Sequence, residues 1–171
     1  KAYLLIGKSH FYQKNYKLAQ ETFRFMINQF GEEEIRFDAL VWLARVYIET
    51  GEMNEAKKLM DALSNEPAFP RRLTGDLQAT LAHYYLRNEQ YAEAALPLEK
   101  ALNEARTKTD RYRWTFILGQ IYTLTGDPDK ANKYFARVVK MNPPYEVTFN
   151  ARINMASNVK EGTGAAASIR R

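Results

Sequence analysis

The sequence has no cysteine among its 171 residues. The chain therefore has no disulfide bond, no thiolate ligand for a metal and no cysteine nucleophile. Its two histidines, His10 and His83, lack the spacing of a metal-binding pair, and no serine lies in a G-x-S-x-G sequence. Gly162-Thr163-Gly164 is not followed by the lysine and hydroxyl residue of a phosphate-binding loop. We therefore expect a non-enzymatic protein with no catalytic residue, no metal site and no cofactor.

Long apolar runs are also missing. No stretch approaches the roughly 20 apolar residues that span a bilayer, so we expect no direct membrane insertion by this chain. The chain begins at Lys1 without a methionine or an apolar leader, which we interpret as an excised fragment or a mature segment. The net charge of +5 and the pI of about 9.3 are mildly basic. Without a cluster of basic residues, we expect a solvated surface and no nucleic-acid partner.

One stretch, LGQIYTLTGDPDKANKYFARVVKMNPP, carries a specific pattern of small and aromatic residues. The spacing of these residues resembles a tetratricopeptide (TPR) repeat, which is a pair of antiparallel helices. The glycine and alanine let the two helices approach closely, and the phenylalanine fills the space between repeats. The pattern is made by Leu118, Gly119, Tyr122, Gly126, Ala131, Phe135 and Pro143.

The same pattern recurs three times upstream. Its alanines, Ala19, Ala56, Ala94 and Ala131, are separated by 37, 38 and 37 residues, slightly more than the usual 34. We predict an all-α fold, which the resemblance implies is a TPR-type right-handed superhelical solenoid of antiparallel helix pairs. The predicted repeats cover about 1–30, 35–64, 71–107 and 110–143. A capping helix or the first helix of a fifth repeat follows at 145–158, and we expect a frayed tail at 159–171.

Several local features depart from the pattern or refine it. Pro97 lies inside a second helix, which predicts a kink or a local 3₁₀ turn. Glu89 stands in the place of the turn glycine, so we expect the neighbouring Asn88 to take the left-handed conformation. The three carboxylates at 32–34 are expected in the first turn of the next helix. His10 is expected to be a half-buried packing residue.

Two residues at helix ends have predicted roles as well. Asp127 is expected to cap the helix that follows it, with Pro128 at the first helical position, where no N–H group is needed. Tyr122 is expected to pack along its ring while keeping its hydroxyl near solvent.

The first helices of successive TPRs line the face that such proteins generally use for ligands. Carried onto this chain, that face has an apolar row, a polar and partly cationic row, and a mixed third row. It suits a protein segment with apolar anchors and some negative charge, although these side chains also fit a merely solvated groove. The predicted groove residues are Leu4, Val41, Ala79 and Phe116; Lys8, Arg45, His83 and Gln120; and Phe11, Tyr12, Glu49 and Arg87.

The TPR clamp for a C-terminal carboxylate, found in chaperone-binding TPRs, does not fit this groove. That clamp has a lysine and an asparagine in these rows, whereas this chain has Leu4 and Lys8 at the two places. We therefore expect another kind of protein segment as the ligand.

The chain also resembles one family more closely, the SprE/PorW-like TPR lipoproteins of Bacteroidetes, which serve type IX secretion and gliding motility. The resemblance lies in KAYLLIGKSHFYQKNYKLAQETFRFMINQF, DALVWLARVYIETGE and above all KMNPPYEVTFNARINMA. It covers about residues 1–156. The family implies a periplasmic scaffold that is associated with the outer membrane through a lipid anchor outside this chain. Its partners would be protein segments, including components of the secretion machinery.

Two other classes of function remain open. The repeats also fit a regulatory or specificity module of a larger protein, whose enzymatic or nucleic-acid-binding domain would lie outside this chain. The third class is a nucleic-acid-binding array. Weak, strongly salt-dependent retention on polynucleotide would support it. The sequence leaves the identity of the partner and the oligomeric state open.

Overall fold

The structure, a computed structural model, describes residues 1–161, with side chains described for residues 1–158. Within this part the chain forms α-helices and one 3₁₀ helix, and no β-strand, which confirms the predicted all-α class. The α-helices are α1 (Ala2–Tyr12), α2 (Tyr16–Gln29), α3 (Ile35–Thr50), α4 (Met53–Ser64), α5 (Thr74–Arg87), α6 (Tyr91–Asn103), α7 (Lys108–Leu124), α8 (Pro128–Lys140) and α9 (Tyr145–Glu161), and the 3₁₀ helix is Arg71–Leu73.

The C-terminal helix is longer than predicted. Because α9 continues to Glu161, residues 159–161 belong to this helix and not to the predicted tail. The rest of that tail, 162–171, lies outside the described residues. No helix in the described part of the chain is both long enough and apolar enough to cross a membrane.

The chain divides into two compact units, Lys1–Asn88 and Glu89–Arg171. In unit one, α2 packs between α1 and α3, and α3 also packs on α4 and α5. In unit two, α7 packs on α6 and α8, and α8 packs on α9. The boundary lies between the two helices of the third predicted repeat, so α5 belongs to unit one and α6 to unit two.

Close approach of the two helices of a repeat is visible at two glycines. A Cβ atom placed on Gly7 would lie 2.5 Å from the ring of Phe23, and one placed on Gly119 would lie 2.6 Å from the ring of Phe135. Both phenylalanines are completely buried. The predicted close approach at the glycine is therefore confirmed, because no larger residue fits there. The ring that meets each glycine belongs to the second helix of the same repeat, whereas the phenylalanine was predicted to fill the space between repeats.

The turn inside each repeat uses one left-handed residue. Gly51 and Gly126 have φ angles of 83° and 80°, and Lys14 and Glu89 have φ angles of 61° and 58° at the same repeat place. The prediction for Asn88 was wrong, since its φ angle is −93° and Glu89 itself is left-handed. The position within the repeat therefore requires a left-handed backbone, and the residue at that position adopts it whether or not it is glycine.

Two other predictions differ from the structure in local detail. Helix α6 is α-helical throughout, so the predicted alternative of a 3₁₀ turn at Pro97 was wrong, and the 3₁₀ helix of the described residues lies earlier, at Arg71–Leu73. Pro97 is buried on the packed face of α6, so its ring adds to the packing while one backbone hydrogen bond is lost. The carboxylates at 32–34 precede α3, which starts at Ile35, and Glu34 binds Arg72 instead of lying in a first turn.

The predicted cap of α8 is present. Oδ1 of Asp127 accepts a hydrogen bond from the backbone N–H of Lys130 at 3.0 Å, and Pro128 is the first helical residue. Thr107 caps α7 in the same way by accepting from the N–H of Asp110. His10 is half-buried, and its Nδ1 atom has no hydrogen-bond partner within the described residues.

We expect Gly119→Ala to destabilise the protein by about 1 kcal/mol or more. Alanine is favoured over glycine in a helix by up to about 1 kcal/mol, but its Cβ would meet the buried ring of Phe135, at an overpacking cost of about 1–3 kcal/mol. Urea unfolding followed by circular dichroism measures the change. Combining Gly119→Ala with Phe135→Leu should cost less than the sum of the two single changes. Strict additivity, or an equal loss for the exposed control Gln120→Ala, would contradict the close-approach interpretation.

The left-handed turns give opposite predictions for two residues. Gly126→Ala should lower the free energy of unfolding by about 1 kcal/mol through backbone strain alone, because its surroundings are open. Glu89→Gly should raise it by about 0.5 kcal/mol, since relief of strain exceeds the added entropy of the unfolded glycine. Denaturant midpoints of the two variants test this, and a loss of stability in Glu89→Gly would show that its side chain matters more than its backbone.

Candidate functional site

Three first helices, α1, α3 and α5, pack side by side in unit one, with α3 in the middle. We call their predicted ligand-facing side the first-helix face, which is defined by Lys8, Tyr12, Arg45, His83 and Arg87. The buried Trp42 lies beneath the first three of these residues. The two predicted groove residues of α7, Phe116 and Gln120, belong to unit two. The ring of Phe116 packs against Phe135 with centroids 5.4 Å apart, whereas Gln120 is exposed.

Arg45 is engaged in holding α3 to α5. Its guanidinium forms an ion pair with Asp76 at 3.0 Å and donates from Nε to Oγ1 of Thr80, also at 3.0 Å. The same group lies over the Trp42 ring, 4.4 Å from its centroid, and only 18% of the side chain is exposed. Arg45 is therefore a structural cation, and the polar row carries less free positive charge than its sequence suggests.

Lys8 and Tyr12 form an accessible part of the face, on α1. The Nζ atom of Lys8 lies 4.9 Å from the centroid of the Trp42 ring. The ring of Tyr12 meets the same tryptophan edge-on at 5.8 Å, and Tyr12 is 72% exposed. No carboxylate forms an ion pair with Lys8 among residues 1–158. An exposed aromatic side chain and an uncompensated ammonium group thus share one rigid platform.

His83 lies beside Glu49, with its Nε2 atom 3.2 Å from Oε1 of the carboxylate. Burial lowers the pKa of His83, and Arg87 and Arg45 lower it further, while Glu49 acts in the opposite direction. The imidazole is therefore mainly uncharged at neutral pH, although a carboxylate lies beside it. His83 does not add positive charge to the face, in contrast to the predicted, partly cationic row.

The apolar row is mostly unavailable to a ligand. Val41 is 1% exposed and belongs to the hydrophobic core, so its prediction as a groove residue was wrong. The reason is that four helices pack on α3, namely α1, α2, α4 and α5. Leu4 and Phe11 are half-buried and pack against the same core, and Ala79 is also half-buried. Arg87, at the end of α5, is exposed.

Arg72 is an important residue that the sequence analysis did not find. It makes two parallel hydrogen bonds to the carboxylate of Asp38, at 3.0 and 2.7 Å, and donates from Nε to Glu34 at 2.6 Å. The hydrogen bonds to Asp38 are the main reason that the pKa of Arg72 lies above its usual range. This site joins the 3₁₀ helix to the start of α3. The partners are 34 and 38 residues apart, and no local sequence pattern connects them.

A second polar cluster lies in unit two around Glu99. Oε1 of Glu99 accepts from the hydroxyls of Tyr122 at 2.6 Å and Tyr134 at 2.9 Å, and Lys130 donates to the Tyr122 oxygen at 2.7 Å. Burial alone would raise the pKa of Glu99, but these hydrogen bonds hold it below its usual value. Burial and the bond to Glu99 raise the pKa of Tyr134 to about 12. The Tyr122 hydroxyl is thus bound to Glu99 and Lys130, and the residue itself is half-buried.

The described residues show no further chemical centre. Within 1–161, no group of three or more histidine, aspartate or glutamate side chains is arranged to hold a metal ion. The polar clusters around Arg45, Arg72 and Glu99 connect helices to one another.

Comparisons with solved structures reveal the same fold. A Pseudomonas aeruginosa pilF structure matches with a TM-score of 0.74 and 20% identity, over 94% of this chain and 67% of that one. A Podosopora anserina putative kinesin light chain with TPR-like repeats matches with a TM-score of 0.72 and 18% identity, over 93% and 84%. MamA matches with a TM-score of 0.66 and 15% identity, over 91% and 84%. At such identities the likeness concerns the fold alone.

Family models match the sequence itself. Two models, both described as tetratricopeptide repeat, cover residues 10–73 and 80–146. A comparison with curated proteins finds no match. The two matched segments together span most of the chain. They contain all four buried signature alanines, Ala19 and Ala56 in the first segment and Ala94 and Ala131 in the second. The chain belongs to the tetratricopeptide repeat family.

Proposed function

We propose that this chain is a non-enzymatic scaffold that binds a protein segment on the first-helix face of unit one. The observation that carries the proposal is the Tyr12–Trp42–Lys8 arrangement, in which an exposed aromatic ring and a free ammonium group flank one buried tryptophan. Aromatic residues on a rigid surface dominate the binding energy of many protein interfaces. TPR domains bind proteins or peptides, which agrees with this use of the face.

The partner segment should carry an apolar or aromatic anchor next to a carboxylate. The anchor would pack on Tyr12, and the carboxylate would pair with Lys8 or with the exposed Arg87. Arg45 belongs to the same face but is mostly covered, and it holds α3 and α5 in place through Asp76. Because the platform is ordered before binding, little entropy is lost on the protein side when the segment docks.

We also propose a cellular setting, in which the scaffold serves a secretion or gliding machinery of the cell envelope. The support is the sequence resemblance to SprE/PorW-like lipoproteins, which is strongest over Lys140–Ala156. In that stretch Tyr145, Phe149 and Ile153 are exposed, so the packing of α9 does not account for their apolar character. The proposed location is the periplasm, with association to the outer membrane through a lipid anchor outside this chain.

A pull-down from the envelope fraction of the native cell, with mass spectrometry as the readout, tests the setting. The chain serves as bait, and a Tyr12→Ala and Lys8→Glu double variant serves as the matched control. If the chain recovers secretion or motility components and the control variant does not, the result would support both the envelope role and binding at the first-helix face. Recovery of soluble enzymes alone would contradict the envelope role and favour a module of a larger enzyme.

We expect Lys8→Glu and Tyr12→Ala each to lower the affinity for a partner segment by about tenfold, equivalent to about 1.4 kcal/mol. Both side chains lie at the surface, so the unfolding midpoint should change little. Isothermal titration calorimetry measures the affinity. Lys17→Glu, an exposed charge reversal on α2, is the control for general electrostatics. An equal loss in Lys17→Glu, or no loss in either test variant, would remove the binding site from this face.

For Asp76→Ala we expect a loss of stability and only a small change in partner affinity. This change leaves the Arg45 guanidinium without its carboxylate and should lower the free energy of unfolding by about 1 kcal/mol, because the pair is only partly exposed. Partner affinity should change less than in Lys8→Glu. Thermal unfolding combined with calorimetry separates the two effects, and a large loss of affinity with unchanged stability would show that Asp76 contacts the partner.

A further inference from the structure

Helix α8 carries three cationic side chains on its exposed side. Lys133, Arg137 and Lys140 are exposed, and none of them forms an ion pair with a carboxylate among residues 1–158. They are spaced four and three residues apart, so they follow one another along one face of the helix over about 10 Å. The buried residues of α8 lie on the opposite side and are Ala131, Phe135 and Val138. We call Lys133, Arg137 and Lys140 the α8 basic stripe.

Contacts within unit two position the stripe and extend it. The guanidinium of Arg137 lies 5.5 Å from the centroid of the Tyr134 ring, and the Tyr134 hydroxyl donates to Glu99. Arg137 is therefore held in place before any partner binds. A fourth cation, Lys108 of α7, donates from Nζ to the backbone carbonyl oxygen of Asn142 at 3.2 Å, two residues beyond the end of α8. This contact adds an exposed ammonium group at that end of the stripe.

The packing of the repeats does not require positive charge at these three positions. The equivalent positions of the other three repeats are exposed as well, but only the fourth repeat has a cation at all of them. The equivalent residues are Glu21, Phe25 and Asn28 in the first repeat, Lys58, Ala62 and Asn65 in the second, and Leu96, Lys100 and Asn103 in the third. On α2 and α6 they are exposed although a further helix pair follows within the same unit. The packing of a neighbouring repeat therefore does not cover these positions.

Helix stability accounts for only part of the stripe. Cations near the C-terminal end of a helix are favourable, because that end carries a partial negative charge. Arg137 and Lys140 lie in the last turn of α8, but Lys133 does not. The last turns of α2 and α4 have no basic residue, so these second helices form without such a cation. The row of three cations exceeds what the helix itself requires.

The surroundings of the stripe favour an acidic protein segment over a membrane or a nucleic acid. No large apolar side chain is exposed on α8, all of whose residues the structure describes, so this helix has nothing to insert between lipids. The rings of Tyr122 and Tyr134 stack on each other with centroids 5.4 Å apart. Lys130 lies over the first ring at 3.9 Å and Arg137 over the second. These rings are therefore already occupied and do not serve as stacking platforms for bases.

We propose that the α8 basic stripe binds an acidic helical segment of a partner protein, whose carboxylate residues lie three and four positions apart on one face. Carboxylates at that spacing match the cations of the stripe, since both rows follow the periodicity of an α-helix. The complementary charges steer the segment to α8 and speed its association. The stripe belongs to unit two, whereas the first-helix face belongs to unit one, so this is a second interaction surface beyond the proposed function.

The test uses an alanine-based helical peptide with glutamates three and four positions apart on one face. A second peptide of the same composition has its glutamates spread around the helix. Both carry a fluorescent label and are titrated with the 171-residue chain at low salt, with binding followed by fluorescence anisotropy. We expect the one-face peptide to bind about tenfold more tightly, and its affinity should fall as salt screens the charges. Equal affinities for the two peptides, or an affinity that salt does not change, would overturn the proposal.

Lys133→Glu should lower the affinity for the one-face peptide about tenfold, because an attraction becomes a repulsion. The matched control is Lys58→Glu, the same change at the equivalent position of α4, where the lysine forms an ion pair with Glu55 at 3.3 Å. The control should bind the peptide as the unchanged chain does, and equal losses in the two variants would overturn the proposal. Lys133 lies outside the last turn of α8, so its reversal tests the stripe without altering the charge at the helix end.

Further measurements separate the other occupants. A single-stranded oligonucleotide, or a vesicle containing phosphatidylserine, that binds more tightly than the one-face peptide would overturn the assignment to a protein segment. Self-association of the chain at low salt that is lost in Lys133→Glu would show that a second copy occupies the stripe. The protein isolated from its native cell should bind the peptide equally well, and a loss there would show that the protein itself covers the stripe.

Lys8→Glu should leave the affinity for the one-face peptide unchanged, because Lys8 belongs to unit one. A loss in this variant would place the peptide on the first-helix face and overturn the role of the stripe. A failure of this proposal is therefore distinct from a failure of the first-helix face.

Discussion

The contact on which the structure depends is the approach of a helix backbone to an aromatic ring within a repeat. At Gly7 and Gly119 the first helix has no side chain, and the ring of Phe23 or Phe135 occupies that space. Burial of a phenylalanine supplies about 1.5–3 kcal/mol of hydrophobic stabilisation, and here it also sets the distance between the helices. The turns and the connections between pairs conform to that distance. For this reason the left-handed turn residue appears at the same place even where it is lysine or glutamate.

The polar residues serve two purposes that the structure separates. Arg45, Arg72 and Glu99 are paired within the chain, and each joins two helical elements. Such pairs place side chains accurately, and their loss leaves a partly buried charge without a partner. Lys8 and Tyr12 lie over the same tryptophan but remain accessible. The surface available for recognition is therefore smaller and more aromatic than the row of charges in the sequence indicates.

The helix pairs were predictable because their spacing and small residues are local properties. The cap of α8 at Asp127 was predictable for the same reason. The partners of Arg72 and Arg45 were not, since they lie more than 30 residues away and depend on how one helix pair meets the next. Val41 was misplaced because register alone does not show how many helices surround α3. The buried Asn158 also escaped notice, as an asparagine near a helix end gives no sign of burial.

Gly7 and Gly119 meet the rings of Phe23 and Phe135, whereas the second repeat has the buried Ala44 and Met60 at the same two places. This matching of residue sizes has a consequence for how such a chain can change in evolution. A duplication that copies a whole helix pair carries both halves of the match and preserves the interface. A recombination that joins the first helix of the second repeat to the second helix of the fourth would set Ala44 against Phe135, and the Cβ atom would meet the ring. The helix pair, and not the single helix, is therefore the heritable unit of this architecture.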